Sequence, residues 1–76
     1  SFVRRLVLPP KGTIFRTKSK LLDPAGYFIG ETGNINRKVR EFVEYIDFVP
    51  SYGGDVWWCR NTSDGTIAAY NVLELI

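Results

Sequence analysis

Apolar and polar positions alternate in short runs along the chain, and proline and glycine cut the runs apart. Phe2 to Leu8 reads as a first extended run, closed by Pro9-Pro10 because proline cannot donate to a strand ladder. Lys11-Gly12 opens a second run, Thr13 to Thr17, which sets Ile14 and Arg16 on one face and Phe15 on the other. Lys18-Ser19-Lys20 is polar, and Asp23-Pro24-Ala25-Gly26 is a turn signal. Tyr27 to Glu31 predicts a short strand that Thr32-Gly33-Asn34 ends. Ser51 to Asp55 is a loop with two adjacent glycines. Val56 to Arg60 and Thr66 to Tyr70 read as a hairpin joined through Asn61 to Gly65, with glycine at the position that needs a positive φ. Val72 to Ile76 is a last extended or single-turn piece.

The segment from Arg37 to Val49 supports two readings. Val39, Phe42, Val43 and Ile46 fall at i, i+3, i+4 and i+7, one face of a helix that Asn36 caps and that carries Arg40, Glu41, Glu44 and Asp47 on its other side. The same residues are rich in Val, Ile, Phe and Tyr, which favour strands. A long strand is the reading preferred here, with a short helix within 36–49 as the alternative. Pro50 ends either one, because the residue before proline is pushed out of the α region.

Length and composition narrow the classes. Seventy-six residues, 45% apolar and 14% aromatic, make one small domain spanning 1–76, too apolar for disorder. No window approaches the ~18 apolar residues of a membrane-spanning helix, so no membrane partner is expected. There is no histidine, and Cys59 is the only cysteine. An internal disulfide, a zinc finger and a Ser-His-Asp triad are therefore excluded, and no metal or other cofactor is expected. A lone cysteine fits a reducing, cytoplasmic setting. Cys59 itself reads as a small core residue. Glu41, Glu44 and Asp47 would share a helix face, but a carboxylate pair needs a cleft between its members, so no enzyme is expected. Asn61-Thr62-Ser63 matches a glycosylation acceptor on a hairpin tip, and chance is the simpler explanation.

Charge is divided along the chain. Residues 1–40 hold nine basic residues against Asp23 and Glu31, for +7, whereas residues 41–76 hold Arg60 against six carboxylates, for −5. The division fits a basic face for an acidic partner, basic and acidic strands that neighbour each other in one sheet, or two protomers that pair in an assembly.

The C-terminal third carries a familiar order of residues. Gly54-Asp55-Val56-Trp57-Trp58-Cys59-Arg60, then Gly65-Thr66-Ile67, then Asn71-Val72-Leu73-Glu74-Leu75-Ile76 resembles the end of a Src-homology-3 (SH3) domain: a tryptophan pair on the third strand, a distal hairpin, and a terminal strand with an Asn-containing turn. Tudor-like barrels share the rhythm, with Tyr45-Ile46-Asp47-Phe48 in the place of their second strand. The resemblance implies an all-β, five-stranded SH3-like barrel that binds a partner. Ala69 stands where the family has a proline, Val72 where it has its ligand-contacting tyrosine, and residues 1–25 show no match to the family's opening strand. Of the proline-rich-peptide groove, Trp57 alone is recognisable, so the resemblance supports the barrel more than that ligand.

Trp57 and Trp58 point to opposite faces of a strand, so one belongs in the core. The other is an exposed anchor or lies under the Pro50–Asp55 loop. The leading expectation is a protein or peptide partner lying across Trp57 or Trp58, Tyr52 and Tyr70. Tyr27, Tyr45, Tyr52 and Tyr70 offer a cage with a tryptophan, or simply fill the barrel. The alternative is nucleic acid, with phosphates on Arg4, Arg5, Arg16, Lys18 and Lys20.

Overall fold

The computed structural model describes residues 7–22 and 33–76. Four stretches free of glycine and proline pair as strands, with alternating burial in the first two. They are β1 (Ile14–Arg16), β2 (Phe42–Phe48), β3 (Val56–Asn61) and β4 (Ile67–Asn71), joined as one antiparallel sheet in the order β1-β2-β3-β4. The described residues are all-β, with two single 3₁₀ turns, Pro50–Tyr52 and Val72–Glu74, and no α-helix among them. The first expected run lies outside the described residues up to position 6, and Val7 and Leu8 are not in a strand. The expected turn at 23–26 and strand at 27–31 also lie outside them.

Within the ambiguous segment Phe42–Phe48 is a strand while 37–41 is not, so the long strand is shorter than expected and the helix alternative is corrected. Phe42 and Val43, neighbours on one helix face, lie on opposite faces of the sheet: Val43 is fully buried and Phe42 exposed. Tyr45 pairs with Cys59 and Asp47 with Trp58, so β2 carries one extra residue at this bulge. The bulge moves the inward phase from Val43 and Tyr45 to Phe48.

The connections follow their local chemistry. Gly53 takes a left-handed φ of 63° to end the first 3₁₀ turn, and its N–H donates to Pro50 O. The β3–β4 hairpin is closed by side chains: Asn61 Oδ1 accepts from Ser63 N at 2.7 Å, and Asp64 Oδ1 accepts from Thr66 N and Thr66 Oγ1. The last piece is both things the sequence suggests, a turn and then an extended end. Leu75 bridges Thr17, while Arg16 and Ile76 exchange backbone hydrogen bonds of 3.3 and 2.9 Å. The named strands form an open four-stranded sheet.

Candidate functional site

Cross-strand register sorts the side chains onto two faces. Val43, Tyr45, Trp57, Cys59, Ala68 and Tyr70 form the buried cluster on one face, with Phe15, Phe48 and Leu75 packed against it. The other face carries Ile14 and Arg16 from β1, Phe42 and Glu44 from β2, Trp58 and Arg60 from β3, and Ile67 from β4, because these residues are cross-strand partners or two apart.

This division splits the expected patch of Trp57 or Trp58 with Tyr52 and Tyr70, because Tyr70 goes with Trp57 and Tyr52 with Trp58. Trp57 is 8% exposed, edge-on to Tyr45 at 5.1 Å and tilted against Phe15 at 5.5 Å, and its indole N–H donates to Gly54 O at 2.7 Å. Tyr70, paired across the ladder with Trp57, is buried as well. Its hydroxyl accepts from Lys38 N at 2.8 Å, and the Arg37 guanidinium lies 5.6 Å from its ring centroid. Trp58 and Tyr52 are half-buried on the opposite side, packed on Val49, Val56 and Ala69 where the 49–55 connection folds over that end of the sheet. Of the wider set of tyrosines, Tyr45 belongs to the core and Tyr27 lies outside the described residues.

Arg16, Lys18 and Lys20 are exposed, whereas Arg4 and Arg5 lie outside the described residues. Arg40, 22 positions or more from the first two, joins them. Its N–H reaches Thr17 O at 3.1 Å and Lys18 O at 3.3 Å, and it holds a left-handed φ of 55° to do so. Thr17, buried, locks the same crossing: its hydroxyl accepts from Glu41 N at 2.9 Å. The Arg16 guanidinium lies over the Phe42 ring, 5.5 Å from its centroid. Among the described residues, Arg16, Lys18, Lys20 and Arg40 form no ion pair.

Sequence reasoning missed a highly connected polar group among the described residues. Glu74 is 1% exposed and ion-paired with Arg37; it also accepts from Leu22 N and, in a capping box, from Asn71 N, both at 2.7 Å. Asn71 Oδ1 in return accepts from Leu73 N. One carboxylate thereby ties the long 17–41 connection to the terminal turn. Its readable signal was Asn71-x-x-Glu74, a capping spacing.

Chemistry at the surface is sparse. Glu44 pairs with Arg60 at 3.3 Å across β2 and β3, beside an open depression of about 260 Å³ lined by Lys11, Gly12 and Ile46 among others. Burial pushes the Cys59 thiol up to about 12 and raises the Tyr70 hydroxyl, and for Tyr45 burial and then the Asp47 charge act in the same direction. Asp64 is held below the usual carboxylate range, chiefly by the Thr66 hydroxyl. Among the described residues, no group of three or more Cys, Asp or Glu is placed to hold a metal, and no helix is long and apolar enough to cross a membrane. No family model, no curated protein and no solved structure matches the chain.

Proposed function

We propose that the chain is a non-enzymatic, SH3-like interaction module that binds a protein or peptide partner on the face opposite its main core. Its aromatic anchors are Trp58 and Tyr52. One observation carries this reading: Trp58 keeps part of its ring in solvent although its neighbour Trp57 already supplies the core, so a rigid aromatic surface is available at low entropic cost. The barrel component of the proposal is supported by the chain end: Leu75 bridges Thr17, and Ile76 and Glu74 share backbone hydrogen bonds with Arg16 and Lys18. The test is an amide NMR titration of the labelled protein with a pool of proline-rich peptides. Shifts at the Trp58 side chain and Tyr52, lost in Trp58→Ala with the fold retained, support the module; a Trp58→Ala protein that binds equally well overturns it.

A second reading, nucleic acid on the basic strip, is favoured by the exposed Arg16, Lys18, Lys20 and Arg40, which no described carboxylate neutralises. Its signature is an oligonucleotide affinity that falls steeply with salt, since each phosphate contact releases a counterion. A salt-insensitive affinity removes it.

A further inference from the structure

The half of the outer face that the 49–55 connection leaves uncovered has an unusual make-up. Ile14, Phe42 and Ile67 are 52%, 54% and 44% exposed. Singly exposed apolar residues need no explanation, but these three stand on three strands of one sheet and share one face. Ile14, Glu44, Arg60 and Ile67 form one cross-strand row, about 14 Å long at the ~4.8 Å spacing of neighbouring strands. In the middle of that row, Glu44 and Arg60 neutralise each other. Arg16 and Phe42 form the next row, and it leads to Lys18 and Arg40. The face therefore runs from Trp58 and Asp47 at one end, through an apolar centre, to a cluster of cations at the other.

From this arrangement we infer that the partner is an acidic segment of a protein that also carries apolar side chains. The inference rests on the interaction-module reading above and names the chemistry of its ligand. Apolar side chains of the segment cover Ile14, Phe42 and Ile67, and its carboxylates meet Arg16, Lys18 and Arg40. Charge complementarity selects the class, because the cations at this end have no described carboxylate partner while Glu44 at the centre already has a cation. The aliphatic side chains argue against nucleic acid: bases need a π surface to stack on, Ile14 and Ile67 offer none, and the Arg16 guanidinium already lies over the Phe42 ring.

The experiment uses the labelled full chain and three probes of matched length: a peptide of alternating Glu and Leu, the same peptide with Lys for Glu, and an oligo-dT. The expected result is that the Glu peptide alone shifts Ile14, Arg16, Phe42 and Ile67, and that Phe42→Ala and Arg16→Glu each weaken it about tenfold. Both residues are exposed, and an unchanged urea midpoint shows that the variants are folded. If the Lys peptide binds equally well at Trp58 and Tyr52, the module stands and the acidic partner is overturned. If oligo-dT alone shifts the strip, the inference fails in favour of nucleic acid. A dimer in sedimentation that Phe42→Ala dissociates assigns the face to a second copy and also overturns it. Silence from all three probes overturns it as well, and the proline-rich titration with Trp58→Ala then judges the module separately.

Discussion

Trp57 and Trp58 are adjacent in the chain, identical in chemistry, and occupy opposite sides of one sheet. Trp57 is enclosed by Phe15 and Tyr45 and has its indole N–H satisfied by Gly54 O. Trp58 packs on a smaller cluster, Val49, Val56 and Ala69, and keeps part of its ring in solvent. The alternation of a strand decides which is which, and the bulky partners of the inner face decide how much each stabilises. Trp57→Ala should cost about 3–5 kcal/mol, a large part of the stability of so small a domain. Trp58→Ala should cost about 1–2 kcal/mol, in proportion to the smaller apolar area it removes from contact. Urea midpoints of the two variants measure the difference directly. Equal losses would break the division into a core face and a binding face.

The inner face is also where the fold commits a charge. Arg37 and Glu74 are both buried, and the carboxylate is further held by two backbone N–H groups. Arg37→Met leaves that carboxylate buried without its cation, at a cost of about 3 kcal/mol. Glu74→Ala should cost at least as much, since it also abandons the N–H groups of Leu22 and Asn71. An exposed pair such as Arg60–Glu44 should contribute less than about 1 kcal/mol. A double-mutant cycle on each pair sharpens the contrast, and equal coupling energies would refute it.

Alkaline pH probes the inner face without cutting it. The Cys59 thiol, normally near 9, is pushed up to about 12 by burial. Its folded value is raised, so its contribution is fully present below pH 9 and is lost as pH climbs toward 12, where the unfolded chain ionises and the native one does not. One such group gives a slope of about 1.4 kcal/mol per pH unit within that window. Tyr70, also raised by burial, adds loss of the same sign at the upper end. Urea unfolding at pH 8 and pH 10.5 should show the decline, and Cys59→Ala should flatten it. A decline unchanged in Cys59→Ala would mean that the thiol is not held neutral.

Much of the inner face was legible because it obeys short-range rules. Phe15 opposite Ile14 and Arg16, the hairpin at Asp64-Gly65 and the stop at Pro50 follow from alternation and turn chemistry. The strand at 42–48 competes with the helical spacing of Val39, Phe42, Val43 and Ile46, and no local residue type announces the bulge after Tyr45. Alternation separates Trp57 from Trp58 in the sequence, but which of them Tyr52 and Tyr70 join depends on pairing, which sends Trp57 and Tyr70 inward together. Arg40 and the Arg37–Glu74 pair were out of reach for another reason. Their partners are 22 to 37 positions away, and only the path of the 17–41 connection brings them close.

The hairpin tip that joins β3 to β4 belongs to neither face, and it gives the smallest and cleanest test of the register that separates them. Asp64 is fully exposed, so its lowered pKa owes nothing to enclosure: the Thr66 hydroxyl and backbone N–H, and more weakly the Lys38 charge, favour its ionised form. A depressed folded value means a contribution present above the unfolded carboxylate range and lost as pH falls through the folded value. In a carbon-detected NMR titration, Asp64 should titrate below the ordinary Asp range. Thr66→Val should bring it back up, because the first of its causes has been removed. Raising the salt concentration should move it less, because Lys38 acts only through a screened charge. If Thr66→Val leaves the titration in place, the hairpin does not close through these two side chains, and the pairing of Arg60 with Ile67 beside it loses the anchor that sets which face each residue meets.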